Sequence, residues 1–253
     1  MYLNLLNLWP YLAGILFIYL YLKFQYRELA KEILWATLRT SIQLILLAFA
    51  LEQIFKSQLF ITSLAISLIM TINSSGQIVR RSKRKILNLF WISLISNIFA
   101  IWPLAALFSM DLSLGSWTEP QRILPLLGML LGNTLSGVSI GISNFMENFG
   151  EKKNEVITMM ALGATIEEAS HRFFYRALKA GINPQINSMI SMGIISIPGM
   201  MAGQLISNIN AMDASILQIK MMLSICIGTL ISIIIALKFV RKSLFLSTGE
   251  LCS

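Results

Sequence analysis

The stretch Ala161-Leu-Gly-Ala-Thr-Ile-Glu-Glu-Ala-Ser-His-Arg-Phe-Phe-Tyr-Arg-Ala-Leu-Lys-Ala-Gly-Ile-Asn-Pro184 is a polar island in an apolar chain. Thr165 and Glu168 stand at capping-box spacing, so a helix is predicted to begin at Ile166. Glu167 and Glu168 suit the positive first turn, and Arg176 and Lys179 the negative last turn. Gly181 is expected to stop the helix and Pro184 to keep it from resuming. Ile166, Ala169, Phe173 and Ala177 share one face, backed by Phe174 and Leu178; His171, Arg172, Tyr175 and Lys179 lie elsewhere. A capped amphipathic helix set between two hydrophobic spans reads as a docking element.

The surroundings decide the fold class. Of 253 residues 56% are hydrophobic and 13% charged, with a mean hydropathy of +0.72. Soluble domains carry roughly a quarter charged residues. Here the apolar residues come in blocks near the length of about 20 that crosses a bilayer. The chain is therefore expected to be an all-α, polytopic membrane protein forming one transmembrane domain over residues 1–253. The net charge of +8 reflects basic loops rather than a nucleic-acid surface. Cys226 lies in a span and Cys252 near the end of the sequence, which writes no disulfide framework. No basic residue precedes Lys23 and no small-residue cleavage pattern follows it, so the first span is expected to be retained.

Seven spans are predicted, at about 5–22, 36–54, 59–79, 89–108, 122–145, 186–207 and 216–237. The loops after spans one, three, five and seven hold 16 of the 20 basic residues. That bias places the N-terminus outside and the C-terminus in the cytoplasm. It makes the segment of about 146–185 a cytoplasmic, helical insert between spans five and six. The loop from Asp111 to Pro120 falls outside.

Polar residues within spans mark candidate sites. Arg39 and Gln43 lie one turn apart in span two, with Glu52 near its outer end; Arg39 could snorkel to headgroups or gate a pathway. Span three carries Ser63, Ser67, Thr71 and Ser74 or Ser75 on one face, and Asn73 and Gln77 near its inner end. These could line a path or bond neighbouring helices. The cluster Arg80–Lys85 that follows has affinity for anionic lipid. Span five has two glycine rows, Gly128 and Gly132 continued by Ser136, and Gly137 with Gly141. Both suit close helix packing, with Asn133 beside them. Span six contains Pro198-Gly199, expected to unwind the helix and act as a hinge. Met189, Met192, Met200 and Met201 flank it and Gln204 lies one turn beyond, as soft ligands or adaptable packing. Asn73, Gln77, Asn133, Met192, Met200, Met201 and Gln204 are thus the pathway candidates, and no firm metal site is written.

Several chemistries are excluded. Gly137-Val-Ser-Ile-Gly141 matches a hydrolase elbow, but it sits inside a hydrophobic helix, and the lone His171 falls in the cytoplasmic segment. No Gly-Lys pair occurs, so there is no phosphate-binding loop. Carboxylates are almost absent from span interiors, where an ion-coupled carrier usually keeps one; only Glu52, near a span end, could qualify. The chain carries no energy-coupling device of its own.

The runs Pro125–Ile142, Ala161-Leu-Gly-Ala-Thr165 with Glu168-Ala169, Arg176–Pro184, Asn187-Ser-Met189, Pro198–Gln204 and Ser41-Ile-Gln-Leu44 together resemble the FetB family of ABC-transporter permeases, to which plant aluminium-tolerance permeases are similar. The resemblance implies a non-enzymatic permease of the bacterial inner membrane, exporting iron or other metals. It implies pairing as a homodimer with a separate ATP-binding subunit, which would hold ATP and magnesium; no cofactor is expected on this chain. Segment 151–181 then looks like the coupling element, with Thr165, Glu167, Glu168, Phe173, Phe174 and Arg176 facing the partner. Glu168-Ala169 follows Gly163, whereas the Glu-Ala-Ala-x3-Gly pattern of importers places the glycine afterwards. The alternative is a self-contained channel or ion-coupled carrier for metals or small solutes. A membrane enzyme ranks third, without an acid–base constellation.

Overall fold

A computed structural model describes residues 8–57, 60–82, 86, 88–110 and 120–246. Residues 5–7, Lys83, Arg84, Lys85, the loop 111–119 and Cys252 lie outside the described residues, as does the Arg122 side chain. The described secondary structure is helical: α1 (Trp9–Gln25), α2 (Arg27–Ser57), α3 (Phe60–Arg81), α4 (Leu89–Met110), α5 (Pro120–Glu151), α6 (Lys153–Ala161), α7 (Ile166–Ser191), α8 (Gly199–Ile206) and α9 (Ala211–Leu246). The chain divides into two compact units, one ending at Ser57 and carrying α1 and α2, the other carrying α3 to α9.

In the first unit α1 packs along α2. Pro10 sits in the first turn of α1, where its missing N–H costs nothing. Arg39, Gln43 and Glu52 are exposed on α2, and Glu52 pairs with Lys56 one turn later at 3.6 Å.

The second unit is built around α5, which packs against α3, α4, α7 and α9. At one end Phe145, Phe149, Val156, Phe173, Leu237 and Val240 form an apolar core; at the other Ile101, Leu127, Leu130, Met221 and Ile225 form a second. Polar groups buried between helices are mostly paired. Ser67, Thr71 and Ser75 of α3 each donate to the carbonyl four residues back, at 2.7–2.9 Å, so their hydroxyls need no water. Asn97 of α4, fully buried, donates to Ser75 Oγ at 3.2 Å and accepts from Ser232 of α9 at 3.3 Å. The serine stripe of α3 therefore binds helices together. Asn73 and Gln77 lie on the exposed side of α3, and the Asn73 amide donates back to Ile69.

Among the described residues, five helical stretches are long and apolar enough to cross a membrane: Arg27–Lys56, Ile61–Arg81, Leu89–Phe108, Ile123–Glu151 and Ala211–Leu244. Helix α1, the expected first span, has 17 residues. The expected sixth span differs in kind. Helix α7 ends at Ser191, residues 192–198 are not helical, and α8 adds only 8 residues, about 12 Å of rise. Gly193 adopts φ +82, Pro198 has no N–H to give, and the Gly193 N–H instead meets the Ser196 carbonyl at 2.9 Å.

A second correction concerns α7, which runs through Gly181 and Pro184 to Ser191. Local stop signals lose here to packing. A Cβ on Gly181 would lie 2.6 Å from the Gly137 carbonyl oxygen of α5 and 2.8 Å from Ile233 of α9. Gly181 is there because two backbones touch, rather than to end a helix.

Candidate functional site

Helices α5 and α7 run antiparallel in strict register. Gln185 stands opposite Asn133, Gly181 opposite Gly137, Ala177 opposite Gly141, and Phe173 joins Phe149 edge-on at 6.3 Å. The first three pairs are each one turn from the last, so that part of the seam reads directly from helical spacing; Phe149 lies two turns beyond Gly141, where Phe173 lies one turn before Ala177. Gln185 Nε2 donates to Asn133 Oδ1 at 2.9 Å, and Asn133 Nδ2 donates to the Met129 carbonyl at 2.8 Å. Gln185 is 6% exposed; sequence reading missed it because a stop was assigned four residues before, at Gly181. The other glycine row differs: nothing stands within 4 Å of a Cβ on Gly132, and Gly128 meets only the Met70 terminal methyl.

One end of the seam carries the α6–α7 segment. Thr165 caps α7 through both halves of the box: Glu168 N–H donates to Thr165 Oγ1 at 3.3 Å, and Thr165 N–H donates to Glu168 Oε2 at 2.8 Å. The Thr165 backbone bond, seconded by its hydroxyl, holds the Glu168 carboxyl below the usual carboxylate range. Glu167 is ion-paired with Arg241 of α9, whose guanidinium also lies 5.5 Å from the Phe174 ring centre. Phe173 is 1% exposed. Both phenylalanines were expected to face a partner; Phe173 is instead core, and Phe174 is half-buried against that core and Arg241. The amphipathic face of α7 is satisfied by its own chain. What projects is the α6–α7 turn, where Leu162 is 84% exposed beside Gly163 at φ +96, together with Ile157, Met159, Arg172, Tyr175 and Arg176.

The other end of α5 opens on a cavity of about 710 Å³ between α5, α8 and α9. Met129, Met200, Gln121, Gln204, Asp213 and Lys220 give it thioethers, amides and one charge of each sign. Gln204 Oε1 is buried with no hydrogen-bond partner among the described residues. Met200 and Gln204 thus share a site, which Asn73, Gln77 and Asn133 do not line. Met192 accepts from the Gln218 amide at 3.7 Å and Met201 from the Ser215 hydroxyl at 4.0 Å, tying the unwound segment and α8 to α9. Pro198 caps α8 and Gly199 begins it, directly after the non-helical stretch. A second cavity, about 410 Å³, lies where α5 passes the end of α3, lined by Arg81, Ser136, Ser139, Ser143, Asn144 and Glu147.

The arrangement is one of membrane helices linking a projecting, charge-anchored segment to a polar cavity. The sequence pattern defining an uncharacterised protein family, UPF0014, matches residues 6–245. The chain belongs to UPF0014. A UPF0014 membrane protein of Synechocystis, slr1647, is 29% identical over 228 residues, covering 88% of this chain and 87% of the relative. The Escherichia coli protein named "Probable iron export permease protein FetB" is 28% identical over 225 residues, 88% of this chain and 85% of its own length. The Arabidopsis "Protein ALUMINUM SENSITIVE 3" is 32% identical over 103 residues, 41% of this chain and 38% of the relative. The resemblance of this UPF0014 chain to FetB and to plant aluminium-tolerance proteins thus holds in direct comparison. No solved structure matches the chain.

Proposed function

We propose that this protein is the transmembrane subunit of an ATP-driven ABC exporter of metal ions such as iron. It works in the bacterial inner membrane as a homodimer, with a separate ATP-binding subunit docked on the α6–α7 segment. The observation that carries the reading is the α6–α7 turn. It is apolar at its tip, capped, anchored through Glu167 to α9, and continuous with the two helices that form the tightest seam in the chain. A push at this turn is transmitted along α7 without slack, because α7 cannot slide on α5 while Gly181 and Gly137 touch. The far end of α7 is the non-helical stretch 192–198, a break between α7 and α8 and the place where a lever stroke would be absorbed. The bias of basic residues puts the turn on the cytoplasmic side, where ATP is. The name of FetB supports iron as cargo.

The docking residues only partly match those first expected: Leu162, Met159 and Ile157 lead, with Arg172 and the expected Arg176 at the rim, and Phe173 is withdrawn as core. Leu162→Asp is expected to abolish copurification of the nucleotide-binding subunit while the protein inserts and keeps its thermal stability. Retained binding in that variant overturns the assignment of the turn.

A further inference from the structure

One face of α5 stays open along nearly the whole helix. From Gln121 through Met129, Gly132, Ser136 and Ser143 to Glu147, exposed and half-buried residues follow at helical steps, forming a single row. Ile140 alone interrupts it with a branched aliphatic side chain. Both cavities open onto this row, one at Gln121 and Met129, the other at Ser136, Ser143 and Glu147. Between them lies Gly132, where a Cβ would meet nothing within 4 Å.

This row differs from the lipid-facing rows of the bundle. The outward residues of α4 are Trp91, Phe99 and Leu107, each more than half exposed, and they show what a lipid-facing row looks like. The α5 row instead carries small or polar residues, Gly132, Ser136 and Ser143, through its middle, with Gln121 and Glu147 toward the helix ends. A second observation points the same way. Ser139, 9% exposed, lines the second cavity, and its Oγ finds no partner among the described residues. A buried hydroxyl without a partner calls for water or a ligand.

We infer that this row of α5 is the wall of a water-filled path for a small hydrated cation, running from one cavity past Gly132 to the other. The row offers hydroxyl and amide oxygens and one thioether among Pro125, Gly132 and Ile140, with Glu147 at one end; the cavities it joins add Met200, Asp213 and Lys220 on one side and Arg81 on the other. Neutral donors of this kind replace hydration water without trapping the ion. The inference rests on the transport reading above, and the proposed second copy of the chain would close the open side of the row.

The test is thiol accessibility in the full-length protein in membrane vesicles, with Cys226→Ala and Cys252→Ala as background. Gly132→Cys, Ser136→Cys, Ser143→Cys and the lipid-facing Phe99→Cys are each treated with the charged, membrane-impermeant trimethylammonium-ethyl methanethiosulfonate. The three row positions are expected to react at least about tenfold faster than position 99, since the reactive thiolate forms in water and not in hydrocarbon. Rates equal to that at 99 overturn the inference, as does a spontaneous disulfide between copies at 136 or 143 without labelling, which marks a dry interface. The serine-to-cysteine variants change one atom each and decide the matter if Gly132→Cys fails to insert. Labelling requires no ATPase. Loss of labelling with ATPase binding intact sinks the path alone, whereas intact labelling with no ATPase partner sinks the transporter reading.

Discussion

The two glycine rows of α5 are spaced alike and meet opposite surroundings. Gly137 and Gly141 lie in a seam where even a methyl group would strike the backbone of α7 or the side chains of α9; Gly128 and Gly132 face a flexible methionine tip and open space. One helix thus has a face that holds the fold and a face left clear. A glycine row in a membrane helix therefore shows that closeness is possible, and only the neighbours show whether it is used. In this chain the used row fixes α7 against α5, and the unused row runs between the two polar cavities.

Substituting the two rows in parallel should separate them. Gly181→Ala, or its mirror Gly137→Ala, is expected to destabilise the detergent-solubilised protein by about 1–3 kcal/mol, because the obstructing atoms include backbone that cannot move aside. Gly132→Ala is expected to leave the melting temperature unchanged or raise it, as alanine favours a helix interior over glycine by roughly 0.5–1 kcal/mol. A fall for Gly132→Ala would mean that its face is covered. Next in size is Gln185→Leu, which strands the Asn133 carbonyl in the seam. A loss of about 0.6–2 kcal/mol in thermal melts is expected, and a null effect would show that water already serves Asn133.

The smallest effect belongs to the α7 cap. Glu168 has its carboxyl lowered by the Thr165 bonds. Its contribution is therefore complete above the ordinary carboxylate value and disappears as pH falls through the lowered one. Amide exchange at residues 165–169 should accelerate in that acid window in the wild type. Glu168→Gln, which keeps a hydrogen bond but does not titrate, should remove the pH dependence.

Much of the fold was legible because it is local. Block hydrophobicity marked α2 to α5 and α9, and Thr165 with Glu168 fixed the start of α7 to the residue. What failed was long-range. Gly181 and Pro184 carry every local mark of a helix end, yet the contact with Gly137 keeps the helix going; no feature of residues 176–184 announces residue 137. Phe173 and Phe174 looked like a docking face because an amphipathic helix does not say which surface covers it. Here Phe149, the α9 end and Arg241 do so. Gln121 and Asp213 fall just outside the predicted fifth and seventh spans and Lys220 near the start of the seventh, so spacing does not group them. Only the fold brings them around one cavity with Met129, Met200 and Gln204. The register of the seam, in contrast, was recoverable: Asn133, Gly137, Gly141 and Phe145 fall at four-residue steps, as do Phe173, Ala177, Gly181 and Gln185 once α7 is allowed to run on.

The central claim is that this chain moves metal only when an ATPase works on the α6–α7 turn. Its most direct test is iron(II) flux in proteoliposomes containing the purified chain, with and without its nucleotide-binding subunit. Flux is expected only when both subunits and ATP are present, and it should be lost in Leu162→Asp. Equal flux from the chain alone, without ATP, would contradict the claim and make the protein a channel or carrier in its own right.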